Sequence, residues 1–158
     1  MDIYLLRHGI ADEPRPGLAD ADRALTGPGR EKLRRVLQRA KSAQVSPSLI
    51  LSSPLRRALE TAQLASELLG CDKIVKTESL VPSSAPEEVW QEISKHAREQ
   101  AILLAGHEPL FGMSVAYLLA CPPLRIDFKK AALARIEMEK ITKVPHGILK
   151  WMITPGLA

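Results

Sequence analysis

Arg7-His8-Gly9 ends an apolar run, Ile3-Tyr4-Leu5-Leu6, with a cation, an imidazole and a glycine. Two further apolar runs end in the same kind of chemistry. Leu49-Ile50-Leu51 leads into Ser52-Ser53-Pro54-Leu55-Arg56-Arg57, and Ile102-Leu103-Leu104-Ala105 leads into Gly106-His107-Glu108-Pro109. A guanidinium offers forked, charge-assisted hydrogen bonds to phosphate oxygens. A neutral imidazole is a nucleophile toward phosphorus, and a protonated one is a hydrogen-bond donor. Gly9 lets the main chain bend close to a ligand. Alone, each piece is weak: a histidine at a strand end is more often structural, and Arg56 and Arg57 read as surface charge. Their conjunction describes a pocket for a compact dianion, above all a phosphoryl group.

That conjunction requires elements that bring three chain segments to one place. Ile3 to Leu6, residues 47–53, residues 73–77 and residues 101–105 read as strands. Between them lie helical patterns. Thr26 caps a helix with Pro28 in its first turn, and Leu33, Val36, Leu37 and Ala40 give that helix one apolar face. Ser53-Pro54 opens a second helix that runs to Leu69 and stops at Gly70. Pro86 starts a third, with Val89, Trp90 and Ile93 on one side. Residues 109–120 are apolar enough to be a largely buried helix. Residues 129–140 and 147–155 read as two final strands joined by a turn near Pro145-His146-Gly147, although the alanines of the first would also suit a helix. The expected fold is therefore α/β: a three-layer αβα sandwich over a mostly parallel sheet, with an antiparallel C-terminal edge hairpin. Ligands of such sheets sit outside the carboxyl ends of the strands, where all three polar segments fall. No linker or repeat interrupts the chain, so 1–158 is expected to be a single domain.

The motifs are similar to those of the histidine phosphatase superfamily, whose fold is called phosphoglycerate mutase-like. "LLRHGIA" resembles its opening signature, "SSPLRRALETA" its second, and "AGHEPLF" its second histidine segment. The order of the three is kept across nearly the whole chain. Within the superfamily, the modest length and "DADRALTGPGREKL", with its Arg-x-Leu-Thr-x-x-Gly pattern, most resemble the SixA-type phosphohistidine phosphatases. The resemblance implies that His8 is a nucleophile that becomes a transient phosphohistidine. It also implies that Arg7 and Arg57 grip the phosphoryl oxygens, that His107 donates a further hydrogen bond, and that Gly9 belongs to the binding loop. The choice of Arg57 over Arg56 rests on the resemblance, since both point away from the apolar stripe of Leu55, Ala58, Leu59 and Ala62. The implied activity is a metal-independent phosphatase with no cofactor, acting on phosphohistidine in a signalling, histidine phosphotransfer protein. Small phosphate esters or nucleotides are the alternative substrates. A non-catalytic phosphate-binding module is the alternative of another class, and keeping His8, Arg7, Arg57 and His107 together speaks against it.

One member of the usual set is missing. Many relatives carry a leaving-group glutamate two positions after a leucine that follows the third strand; here Pro82 stands there, after Leu80. Glu78, Glu87 and Glu88 are the nearby substitutes, the last two reading more simply as first-turn helix residues. Without that acid an alkoxide leaves poorly, whereas a phosphoramidate releases neutral imidazole. With no inserted lid domain, the pocket is expected to be open enough for a protein side chain.

Composition narrows the remaining classes. The net charge is +4, much of it on the outer face of residues 30–41, and aromatic residues make up 4%, which is poor material for base stacking. A nucleic-acid partner is not expected, nor is a membrane, because no apolar run reaches roughly 20 residues. Cys71 and Cys121 have no metal-ligand spacing and read as free, buried thiols of a cytoplasmic protein. Asp12, Glu13, Asp20 and Asp22 fit no calcium pattern and read as solvated loop acids, with Asp20 and Arg23 near enough to touch a substrate from the rim. His96 and His146 read as surface residues, and Trp90 and Trp151 as core.

Overall fold

The computed structural model describes residues 1–158 throughout. Its elements are β1 (Asp2–Arg7), α1 (Gly27–Ser42), β2 (Leu49–Ser52), α2 (Arg56–Leu69), β3 (Ile74–Lys76), α3 (Pro86–Lys95), β4 (Ala101–Gly106), α4 (Leu110–Leu118), β5 (Leu133–Glu137) and β6 (Ile148–Ile153), with single 3-10 turns at Asp20–Asp22 and Glu78–Leu80. The sheet order is β3-β2-β4-β1-β5-β6. The first four strands in that order are parallel, and β5 runs antiparallel to both β1 and β6. This is the expected mostly parallel αβα arrangement with an antiparallel C-terminal edge.

Alternation along the strands divides the core. Ile3, Leu5, Leu51 and Leu104 face one side, against Val89, Trp90 and Ile93 of α3 and Leu110, Phe111 and Val115 of α4. Tyr4, Leu6, Ile50 and Leu103 face the other, against Leu33, Val36 and Leu37 of α1 and Ala62 and Ala65 of α2. A central strand covered on both faces must be apolar at every position. That is why β1 carries no charged residue between Asp2 and Arg7.

The Arg-x-Leu-Thr-x-x-Gly stretch joins α1 to the end of β1. Thr26 caps α1, its hydroxyl accepting from the Gly29 N–H at 3.0 Å and donating to the Ile10 carbonyl. Gly29 packs directly on the main chain after the Arg-His-Gly segment: a Cβ there would lie 2.1 Å from the Ile10 carbonyl oxygen. Backbone on both sides leaves nothing to yield. Gly29→Ala is therefore expected to destabilise the protein by about 3 kcal/mol or more. A urea midpoint matching the wild type would show that this seam is not tight.

Several boundaries differ from the sequence expectations. Helix α2 begins at Arg56, because Leu55 is still extended and its N–H donates to the Ser53 hydroxyl. The strand expected over 129–140 is confined to Leu133–Glu137, and a ten-residue connection, 138–147, replaces the short hairpin turn. The residues just before β5 clamp the end of β1 instead of extending the strand. Ala131 adopts a left-handed conformation (φ 61°), and its N–H donates to the carbonyls of Arg7 and His8. Gly147 anchors the long connection by donating to the Leu118 carbonyl at 2.7 Å. Cys71 is buried but Cys121 is exposed; α4 ends before it, with Ala120 turning left-handed (φ 51°). Trp90 lies in the core, whereas Trp151 is half-buried at the sheet edge against Tyr4. No helix is long and apolar enough to cross a membrane.

Candidate active site

The parallel register places Arg7 beside Gly106 and Ser52 beside Ala105, so the three polar segments leave the sheet at one edge. His8 follows β1 and is 6% exposed; His107 follows β4 and is 1% exposed. Their ring centroids are 5.0 Å apart. Arg57, one residue into α2, is buried with them, while Arg56 lies on the surface against Glu60. Structure thus separates two arginines that helical periodicity leaves equivalent.

His8 Nδ1 lies 2.7 Å from the Gly9 carbonyl oxygen. A carbonyl only accepts, so Nδ1 carries the proton, and Nε2 keeps its lone pair with no protein partner. Burial pushes the His8 pKa down to about 4; the Gly9 carbonyl opposes this, and the charges of Arg57, Arg7 and Lys130 add to it. The His107 pKa is pushed down to about 3, again by burial first and then by His8 and the two arginines, with Asp20 opposing. His107 Nε2 pairs with the Ser53 hydroxyl at 2.9 Å. Both rings are neutral, and the site is positive through its guanidinium groups. A bound dianion would raise both pKa values and turn His107 into a stronger donor.

The cations are held in place by the main chain. Arg7 Nη1 donates to the Phe128 carbonyl at 2.6 Å, and its buried Nε has no partner in the protein. Because Arg7 is donor-only, the group that Nε lacks is an acceptor. Arg57 donates to the Asp20 carbonyl at 2.8 Å and to the Asp20 carboxylate at 3.1 Å. Asp20 also accepts from Arg23, whose Nε donates to the Asp12 carbonyl. Asp20 is therefore more than a solvated loop acid: it orients the buried guanidinium, and its loop position carried no periodic signal to reveal that. Asp12 contributes through its carbonyl, and Asp22 lies in the same 3-10 turn as Asp20. Gly9 donates its N–H to Thr61, and a Cβ on it would meet the Gly29 carbonyl at 3.1 Å. That closeness puts the glycine against α1.

None of the remaining acids hydrogen-bonds to Arg7, His8, Arg57 or His107. Glu88 accepts from the Ala85 N–H and the Ser84 hydroxyl at the start of α3; Glu87 is exposed in the same turn and Glu78 in a 3-10 turn. Glu108 accepts from the Gly112 N–H at 2.7 Å, and burial raises its pKa. No carboxylate hydrogen-bonds to His8; the nearest carboxylate influences are those of Asp20, on Arg57 and His107, and of Glu108, on Arg7. Lys130, half-buried beside the site, is the cation that motif reading missed; its only signal was the pair of lysines ahead of β5. No cluster of three or more His, Cys, Asp or Glu side chains is arranged to hold a metal ion.

The depressed histidines make stability depend on pH. Below about pH 6.5 the unfolded chain protonates both rings, while the folded protein leaves them neutral until about 4 and about 3. Stability is consequently lost as pH falls through that window, by roughly 2–3 kcal/mol per histidine at pH 4.5. Urea unfolding at pH 7.5 and 4.5 should show a smaller loss for His8→Asn than for the wild type. Parallel losses in the two proteins would remove His8 as a cause.

Comparison with known proteins agrees with this geometry. The sequence profile of the histidine phosphatase superfamily (branch 1) matches residues 3–81. An uncharacterised protein of Picosynechococcus sp. is 36% identical over 115 residues, covering 71% of this chain and 69% of its own. The fold is similar to that of the protein histidine phosphatase SixA complexed with tungstate, with TM-score 0.87, 24% identity and coverage of 99% and 98% of the two chains. It is also similar to a mutant phosphoserine phosphatase of Entamoeba histolytica in complex with phosphoserine, with TM-score 0.73, 17% identity and coverage of 98% and 97%.

Proposed function

The chain belongs to the histidine phosphatase superfamily, and from that premise we propose that residues 1–158 form one metal-independent phosphatase domain that removes phosphate from phosphohistidine in a signalling protein. The observation that carries the reading is the state of His8: a buried, neutral ring with Nδ1 tied to a carbonyl and Nε2 unpartnered, near the charges of two guanidinium groups. In this reading Nε2 attacks phosphorus in line. The bond from phosphorus to the leaving ring nitrogen breaks, and the leaving group takes its electron pair. Arg7 and Arg57 hold the equatorial oxygens and His107 donates to one of them, so developing charge meets preorganised donors. Water then attacks the phosphorus bound to His8; that P–N bond breaks, Nε2 recovers its lone pair, and phosphate departs.

Leaving-group chemistry supports the choice of substrate. A phosphorylated imidazole whose second nitrogen carries a proton departs as neutral imidazole, needing no acid from the enzyme. An alkoxide would need one, and Pro82 stands where many relatives carry it. The similarity to a protein histidine phosphatase supports this choice, and the tungstate it binds, a tetrahedral oxyanion like phosphate, supports a phosphoryl pocket. The phosphoserine-bound neighbour favours the second reading, a small phosphate ester.

The test compares a phosphohistidine peptide with a panel of phosphate esters, each with and without a metal chelator. Faster turnover of the phosphohistidine is expected. Faster turnover of an ester would move the substrate to the second reading, and loss of activity to the chelator would contradict the metal-free mechanism.

A further inference from the structure

Arg7 faces more than the two histidines. It also lines a cleft of about 620 Å³, and neither Arg57 nor His107 does. Lys32 from α1, Lys129 and Lys130 from the loop before β5, and Thr154 after β6 line the same cleft. Asp127 is the one carboxylate in the lining, and it pairs with Lys129 at 2.5 Å; Glu108, outside the lining, also acts on Arg7 through its charge. Lys32 and Lys130 pair with no carboxylate. Lys130 is half-buried and close enough to His8 for its charge to disfavour protonation there. An unpaired, half-buried ammonium that shares a cleft with a guanidinium has no carboxylate partner of its own to offset their repulsion. Bound anionic charge turns that repulsion into attraction. The phosphoryl group itself has Arg7, Arg57 and His107, so the cleft is free for a second anionic group.

We propose that this cleft is a second-anion subsite: the enzyme selects phosphoryl donors that carry another carboxylate or phosphate beside the group transferred. The proposal deepens the phosphatase reading above and takes the position of the phosphoryl group from it. In a protein substrate the second anion is an aspartate or glutamate next to the phosphohistidine. In a small molecule it is an acid group of the same compound. The ammonium groups act as flexible point charges, so the subsite selects charge more than shape.

The full chain and its Lys32→Gln/Lys130→Gln variant are compared on two substrate pairs. One is a phosphohistidine peptide with flanking glutamates and its glutamine counterpart. The other is 3-phosphoglycerate and glycerol 3-phosphate. Independently of turnover, calorimetry compares methylenediphosphonate with inorganic phosphate. The wild type is expected to prefer the doubly anionic member by about tenfold in at least one substrate pair, and in calorimetry, with the ratio falling toward one in the variant and at high salt. The pair that shows the preference identifies its source. Turnover without preference in either pair, or a preference that survives in the variant, overturns the subsite and leaves the phosphatase reading intact. Absence of all turnover overturns the phosphatase reading instead, and calorimetry then decides the subsite: equal affinities sink it, and a lysine-dependent preference upholds it.

Discussion

His8→Ala is expected to lower kcat by about 10⁴-fold or more on any phosphoryl donor the wild type hydrolyses. The loss is this large because no other group present can replace Nε2. The second imidazole, His107, is more deeply buried, and its Nε2 is engaged with Ser53. The nearest carboxylate with a hydrogen bond to a site residue, Asp20, is engaged with Arg57 and Arg23 and is not placed to activate water. Binding should survive the substitution, since Arg7 and Arg57 keep their anchors on the Phe128 carbonyl and on Asp20. The expected signature is therefore lost turnover with inorganic phosphate still bound, measured by steady-state kinetics and calorimetry on the same preparation. Residual activity within tenfold of the wild type would contradict a nucleophilic His8.

Arg57→Ala is expected to lower kcat/KM by about 10³-fold, the scale of removing a preorganised charge-assisted donor from a transition state. Arg57→Lys should recover only part of this, because an ammonium cannot reproduce the fork that Asp20 orients. A second consequence separates a direct role from simple misfolding. Burial is the main reason His8 stays neutral, and Arg57 is the strongest of the cations that add to it. Removing Arg57 raises the His8 pKa, so the acid limb of the kcat/KM profile should move upward, toward neutrality. Arg56→Ala, on the exposed neighbour that pairs with Glu60, serves as the comparison. Equal losses at the two positions, or an unmoved acid limb in Arg57→Ala, would contradict the assignment.

Much of this arrangement was legible because its causes are local. A strand covered on both faces must be apolar, so the first polar residue after it marks where the sheet ends and a site can begin. Arg7, His8 and His107 were found that way, and Thr26 and Gly70 by cap chemistry. The choice between Arg56 and Arg57 was not legible from periodicity, because their burial depends on where the loop bearing Asp20 folds back. Lys130 and the loop before β5 were hidden for a related reason. Ala131 makes the left-handed turn that clamps this loop to the end of β1. Alanine there announces a strand or a helix, not a turn, and the hydrogen bonds that hold it come from residues more than a hundred positions away. Pro122 and Pro123 mark the end of α4, but a helix end does not by itself say whether the next residue is covered, so the exposure of Cys121 was not legible.

Transient phosphorylation of His8 is the most direct test of the chemistry. Wild-type enzyme in excess is mixed rapidly with its best phosphoryl donor and quenched in alkali, where phosphohistidine survives, at intervals across one turnover. Mass spectrometry then locates any phosphoryl group. Phosphate on His8 that rises before inorganic phosphate appears, and is absent from His8→Ala, is the expected result. Inorganic phosphate released through a full turnover with His8 unlabelled at every interval, or with the label on His107 instead, would contradict it.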